Sequence, residues 1–142
     1  MADRKLNLRV ISPQTSTDRR PYKLQQDSDL VVLRCTTGDL GILVGRMPCT
    51  MVLGSGILRS INDGKEYVMA IIGGVAHVQD DIVTVLTDTA LFPNEIDQAE
   101  LTVKINDLRA KIDETVDLTE KNALKSNLYD LRIKLEVAQR AS

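Results

Sequence analysis

All eight glycines (38, 41, 45, 54, 56, 64, 73 and 74) and all four prolines (13, 21, 48 and 93) precede residue 94, and the 49 residues that follow contain neither. Residues that supply turns are therefore confined to the first two-thirds of the chain, and nothing in the remainder interrupts a helix. This partition predicts two modules, a β-rich one over 1–93 and a helical one over 94–142. Charge divides evenly between them, with 10 basic against 10 acidic residues before residue 94 and 8 against 10 after it, so neither module is a charged tail.

In the first module the apolar period is two, as in Lys5-Leu6-Asn7-Leu8-Arg9-Val10-Ile11, the pattern of a strand with one face on a core. Similar runs recur over Leu30–Cys35, Gly41–Val44, Thr50–Leu53, Ile57–Ile61, Glu66–Ile72, Val75–Gln79 and Ile82–Thr87. They are separated by turn chemistry such as Asn62-Asp63-Gly64 and Asp80-Asp81. Short antiparallel strands joined by brief turns, with no helix between them, predict a sandwich or flattened barrel.

After Pro93 the period changes to 3.6, with Leu101, Ile105, Leu108 and Ile112 forming one stripe and Leu124, Leu128, Leu131, Leu135 and Ala138 a second. Asp97 with Glu100, and Asp117 with Glu120, are spaced as capping boxes, and Ile96 with Leu101 as a hydrophobic staple. A break over Asp113 to Thr119 divides two helices of about 17 and 23 residues, roughly 25 and 35 Å long at 1.5 Å per residue. Two helices with one thin apolar seam are marginal by themselves. The expectation is a movable hairpin that packs on the β module in one condition and extends along a partner in another.

A chain of 142 residues holds one domain, or a compact domain with an appendage. A net charge of −2 lacks the footprint of a nucleic-acid or anionic-membrane binder. Aromatics make up only 3% of residues, so no row of stacking platforms exists. Cys35 and Cys49 are too few for a disulfide scaffold and read as small buried hydrophobes of a reducing compartment. The start MADRKLNLRV lacks the apolar run expected of a signal peptide, and no run reaches the ~20 apolar residues that span a bilayer. An enzyme would have to use His77, the single histidine. Its spacing from Cys35 and Cys49 matches no ligand or catalytic motif, and Gly38 to Gly45 and Gly73-Gly74 match no phosphate loop. No cofactor, metal or catalytic group is expected.

Four segments, in order, resemble the epsilon subunit of F-type rotary ATP synthases: Thr37-Gly38-Asp39-Leu40-Gly41-Ile42-Leu43, Gly56-Ile57-Leu58-Arg59, Gly73-Gly74-Val75-Ala76-His77-Val78 and Val83-Thr84-Val85-Leu86-Thr87-Asp88-Thr89-Ala90. The resemblance runs through nearly the whole chain and includes the helical hairpin. It implies a mostly β protein, a flattened antiparallel sandwich of about ten strands followed by two helices. It also implies a non-catalytic rotor subunit of the central stalk, coupling the gamma subunit to the ring of c subunits. Carried over by position, Thr37, Gly38, Asp39, Leu40, Arg46 and Met47 would face the c ring, while the sheet face and the helices would meet gamma. The C-terminal arm would act as a brake on ATP hydrolysis, bringing the basic flank Lys121, Lys125 and Arg132 towards acidic segments of the catalytic beta and alpha subunits.

The match has departures. Some members bind ATP through Ile or Leu, Asp, two residues, Arg and Ala; here Ile96-Asp97-Gln98-Ala99-Glu100-Leu101 puts an acid where the arginine belongs, so Asp97 reads better as a helix cap. The family's Pro-Asn-His-Ala-Pro-like stretch is altered to Val44-Gly45-Arg46-Met47-Pro48, and Gln14 to Gln26 is longer than usual. By resemblance the chain is a peripheral membrane protein, attached only through its complex, on the cytoplasmic side of the bacterial plasma membrane or the stromal side of thylakoids. Two alternatives are an ATP-sensing regulatory module and a non-enzymatic scaffold with a helical tail.

Overall fold

A computed structural model describes residues 4–13 and 22–140; most of the long Gln14 to Gln26 segment lies outside the described residues. The chain divides into two compact units, Met1–Ala90 and Leu91–Ser142.

The first unit is built from β1 (Leu6–Ile11), β2 (Leu24–Ser28), β3 (Leu30–Cys35), β4 (Gly38–Leu43), β5 (Cys49–Asn62), β6 (Lys65–Gln79), β7 (Ile82–Leu86) and β8 (Ala90–Leu91). The hydrogen-bonded order is β2-β1-β7-β6-β5-β3-β4, with β8 also on β6. Two strands are far longer than the sequence runs suggested. β5 joins the Thr50–Leu53 and Ile57–Ile61 runs, and β6 joins Glu66–Ile72 and Val75–Gln79. Counted as halves, these strands make ten segments of the eight.

The glycines between the apolar runs, Gly54, Gly56, Gly73 and Gly74, lie within continuous strands. Gly74 has a φ of 125°, and a Cβ there would drive into the Leu86 carbonyl oxygen and Thr87 Cα. Only glycine fits this left-handed, close-packed position. The bent ladder folds over into two layers, as contacts between strands far apart in the order show. Ser28 and the Gln26 amide of edge strand β2 both hydrogen-bond the Ser60 hydroxyl of β5. Along the inner face, register aligns Leu8, Val83, Val78 and Cys49 in one row and Val10, Val85, Ala76 and Met51 in the next. Leu8, Val10, Val78, Val83, Val85 and Ala76 are fully buried.

Two features differ from the expectation of purely antiparallel strands in hairpins. β1 and β7 pair in parallel; one opens the chain and the other lies beyond six strands of it, so no short turn dictates their direction. β2, LQQDS, carries one apolar residue and escapes a hydrophobic-period reading because it is an edge strand with alternate exposed residues.

In the second unit a 3₁₀ turn at Pro93–Glu95 leads to α1 (Gln98–Glu114) and α2 (Leu118–Arg140). Asp97 caps α1, its carboxylate accepting from the N–H groups of Ala99 at 3.0 Å and Glu100 at 3.2 Å. Glu100 does not complete the reciprocal box; its carboxylate pairs with Lys104 at 3.1 Å, one turn on. Asp117 accepts from the Thr119 N–H at 3.2 Å. Leu101, Ile105, Ile112 and Leu128 form the seam between the helices, with Ile96, Leu108, Leu124, Leu131 and Leu135 packed against them. The staple, the first stripe and the second stripe up to Leu135 therefore meet in one cluster; Ala138 is buried but lies outside it, as do the buried Ile133 and Val137 of α2, which the stripe did not include.

Candidate functional site

The segment Thr37-Gly38-Asp39-Leu40 sits at a two-residue hairpin turn of the sandwich. β3 and β4 pair from Leu30↔Leu43 to Cys35↔Gly38, leaving Thr36-Thr37 as the turn. Gly38, at φ 127°, takes the positive angle that returns the chain to the ladder. Thr37 and Asp39 are exposed, Gly38 and Leu40 half-buried. Asp39 pairs across the strands with Arg34 at 3.2 Å. These residues, together with Thr50, Met51 and Val52 of β5, line an open recess of about 330 Å³.

Arg46 and Met47 lie beyond the other end of β4, in the link to β5, and both are exposed, Met47 at 80%. This link is pinned from below: the Gly45 N–H donates to Asp81 Oδ1 at 2.8 Å, and Arg4 pairs with the other carboxylate oxygen. The Gly45 hydrogen bond, and then Arg4, hold the Asp81 carboxyl below the usual carboxylate range against the opposing effect of burial. Asp80 and Asp81, both at positive φ, thus form a structural turn, with Asp81 as its anchor.

Both segments bear on Cys35. Burial pushes its thiol above the ordinary value, Asp39 and Cys49 push the same way, and Arg46 opposes them. A buried thiol held protonated is a poor nucleophile. Cys49 is half-buried, less enclosed than its reading as a core hydrophobe implied. His77 stands on the outer face, its Nδ1 2.9 Å from Thr50 Oγ1 and its Nε2 3.2 Å from Gln79 Oε1. Among the described residues, no cluster of three or more His, Cys, Asp or Glu is placed to hold a metal ion.

The sequence reading named a sheet face but not the residues on it. Val52 pairs with Val75, and Val75 with Leu86, so three aliphatic side chains from adjoining strands stand in a row on the outer face. They are 58%, 40% and 50% exposed. Ile11 extends the row on β1, where it pairs with Leu86. The signal was present in Val75-Ala76-His77-Val78 and Val83-Thr84-Val85-Leu86, whose apolar residues occupy both phases of the strand.

On the hairpin, Lys121, Lys125 and Arg132 fall within a sector of about 40° at 100° per residue, so they share one flank. Lys121 is half-buried, the other two exposed. Glu136, the nearest acid in that projection, is engaged by Arg140 at 3.2 Å.

Residues 5–93 match the family model of the ATP synthase Delta/Epsilon chain, beta-sandwich domain. Over 137 residues the chain is 30% identical to the ATP synthase epsilon chain of Synechococcus sp. (strain JA-2-3B'a(2-13)), with 96% of each covered. The chain belongs to the ATP synthase delta/epsilon family. Members called epsilon chains are accessory rather than catalytic subunits of the ATP synthase, and this epsilon-type chain is one of them. In the structure of the Euglena gracilis mitochondrial ATP synthase OSCP/F1/c-ring in rotational state 1, one chain superimposes with a TM-score of 0.73 at 25% identity. The match covers 96% of this chain and 81% of that one. A chain of the Tetrahymena thermophila mitochondrial ATP synthase central stalk and c-ring shares the fold, with a TM-score of 0.58, 17% identity and coverage of 95% and 97%.

The Ile96-Asp97 pair takes part in the start of α1. Ile96 packs on the helix seam, and the Asp97 carboxylate is occupied by the two N–H groups it caps.

Proposed function

We propose that this epsilon-type subunit works in the central stalk of a proton- or cation-translocating ATP synthase, fastening the gamma subunit to the c ring and regulating ATP hydrolysis through its helical hairpin. The observation that carries the reading is the exposed row Val52, Val75 and Leu86 on a rigid sheet of the matched family. A soluble domain gains nothing from three adjoining aliphatics in water, and such a row is suited to a partner's apolar surface. We assign that row to gamma. The β3–β4 turn with Thr37, Gly38, Asp39 and Leu40, and the link with Arg46 and Met47, are assigned to the polar loops of the c ring, where exposed charge has no core to serve.

The hairpin, 94–142, is the regulatory part. Lys121, Lys125 and Arg132 form a basic flank suited to acidic segments of the catalytic beta and alpha subunits. Among the described residues no helix is long and apolar enough to cross a membrane, so membrane attachment runs through the complex, on the cytoplasmic side of a bacterial plasma membrane or the stromal side of thylakoids.

Two variants test this reading. Val75→Glu with Leu86→Glu leaves the outer-face fold intact by circular dichroism and abolishes co-purification with gamma; retained co-purification refutes the assignment. Deleting 94–142 raises ATP hydrolysis by the assembled complex; unchanged hydrolysis makes the hairpin structural only.

A further inference from the structure

We propose that the bend between α1 and α2 is a docking tip for a protein surface whose apolar notch is rimmed by lysine or arginine side chains. Val116 is 95% exposed and Leu118 70% exposed, two large aliphatics at the turn of a hairpin whose seam begins only at Ile112 and Leu124. Asp113, Glu114, Asp117 and Glu120 surround them, and residues 112–120 contain no basic residue. Elsewhere on the helices, Glu100 and Glu136 are paired with Lys104 and Arg140. Among the described residues, Asp113, Glu114 and Glu120 have no such ion pair, and with Lys111 and Lys121 flanking the segment the four acids still outnumber the two lysines.

An aliphatic centre inside a charged rim is the arrangement of an interface hot spot. The rim also names its partner. The acidic excess attracts a basic surface and repels an acidic one or an anionic bilayer. The tip is held in shape before it binds, which lowers the ordering cost of association. The Thr115 hydroxyl donates to the Lys111 carbonyl at 2.7 Å, the Thr115 N–H to the Ile112 carbonyl at 3.2 Å, and Asp117 caps α2. This contact is distinct from the basic flank of α2 and has the opposite sign. It rests on the reading of the chain as an ATP synthase subunit, because the partner is sought within that assembly.

The test places a benzophenone side chain at Val116 of the full-length chain, assembles it into the host ATP synthase, scores co-purification, and then irradiates. The expected product is one major crosslink to another subunit, within a few residues of a lysine or arginine. Its yield falls about tenfold in the combined variant Asp113→Asn, Glu114→Gln, Glu120→Gln, and similarly between about 50 and 500 mM salt, as the rim charges are removed or screened. Leu118→Ser weakens it by about fivefold or more, as truncation at an interface centre does. Assembly without a crosslink, a crosslink at a segment lacking basic residues, or a yield unmoved by neutralising the acids overturns the proposal. Failure to co-purify at all overturns the underlying reading and the tip with it, and is recognised before irradiation.

Discussion

In the sandwich, Leu6, Leu8, Val10, Val31 and Ile42 have no exposed surface, whereas the hairpin seam residues Leu101, Ile105, Ile112 and Leu128 each retain 5% to 9%. The side chains are of the same kind; the difference lies in how many elements enclose them. A sandwich residue is covered by neighbours along its own sheet and by the opposite layer, with pairings such as Leu8↔Val83 that span most of the unit. A seam residue is covered by one facing helix and the turns beside it. Enclosure from two sides makes the sandwich cooperative, while the thinner helix seam lies nearer the low-stability end where local opening occurs, although α2 also buries Ile133, Val137 and Ala138 outside the seam.

The largest effect that tests this contrast belongs to Gly74→Val. The substitution puts a β-branched residue at φ 125° and sets its Cβ against the Leu86 backbone. Its cost is about 4 kcal/mol or more, enough to abolish the folded sandwich. Loss of soluble protein and of the β signal in circular dichroism is expected; a folded variant would show that the bend is not needed for closure.

Next comes a matched pair of cavities. Leu58→Ala, at a fully buried site, is expected to cost about 3–5 kcal/mol, and Leu128→Ala, at a partly covered one, about 2–3 kcal/mol. The sharper distinction is where the loss is read. Urea unfolding of the sandwich shifts with the first. Hydrogen exchange of the α1 amides accelerates with the second, while β5 and β6 remain protected. Uniform acceleration of both units would break the comparison.

The helices were legible in the sequence because each rule acts locally. Asp97 lies at the cap, and the 3.6-residue stripes, apart from Ala138, meet in the observed seam. The sandwich was legible as alternating runs, yet its long strands were not. Gly54, Gly56, Gly73 and Gly74 bend a continuous strand in one context and end it in another, and only the facing layer decides which. β2 and the parallel β1–β7 pair stayed hidden for the same reason, since sequence distance carries no record of pairing. At the candidate site, the turn around Thr37-Gly38 was readable from its residues. The row Val52, Val75 and Leu86 required the register of three strands.

A smaller effect isolates one end of the hairpin. Asp97→Ala removes the acceptor for two N–H groups and is expected to cost about 1 kcal/mol, with faster exchange confined to the first turn of α1. Asp97→Asn restores most of it, because the amide oxygen accepts the same bonds. If Asn behaves as Ala, the carboxylate charge rather than the cap holds the helix start.

The smallest effect is electrostatic and belongs to the sandwich alone. Lys5 donates to Asp29, to Asn62 Oδ1 at 2.9 Å and to Asp63 Oδ1 at 3.0 Å, while the Asp63 N–H donates to Asp29 Oδ2 at 2.9 Å. The clasp ties the start of β1 to the β2–β3 corner and the β5–β6 turn. The Lys5 hydrogen bond, then the Asp63 N–H, hold the Asp29 carboxyl below its usual range. Asp29, then Asp63, raise Lys5. The contribution of Asp29 is present above the unfolded carboxylate value of about 3.9 and is lost as pH falls through its lower folded value. That of Lys5 is present below the unfolded value of about 10.4 and is lost as pH rises through its higher folded value. Lys5→Met should therefore flatten the decline in urea midpoint below about pH 4 and leave exchange in α1 and α2 unchanged. An acid slope identical to that of the parent chain would place the sandwich's pH sensitivity elsewhere. A change in hairpin exchange would mean that the two units do not open independently.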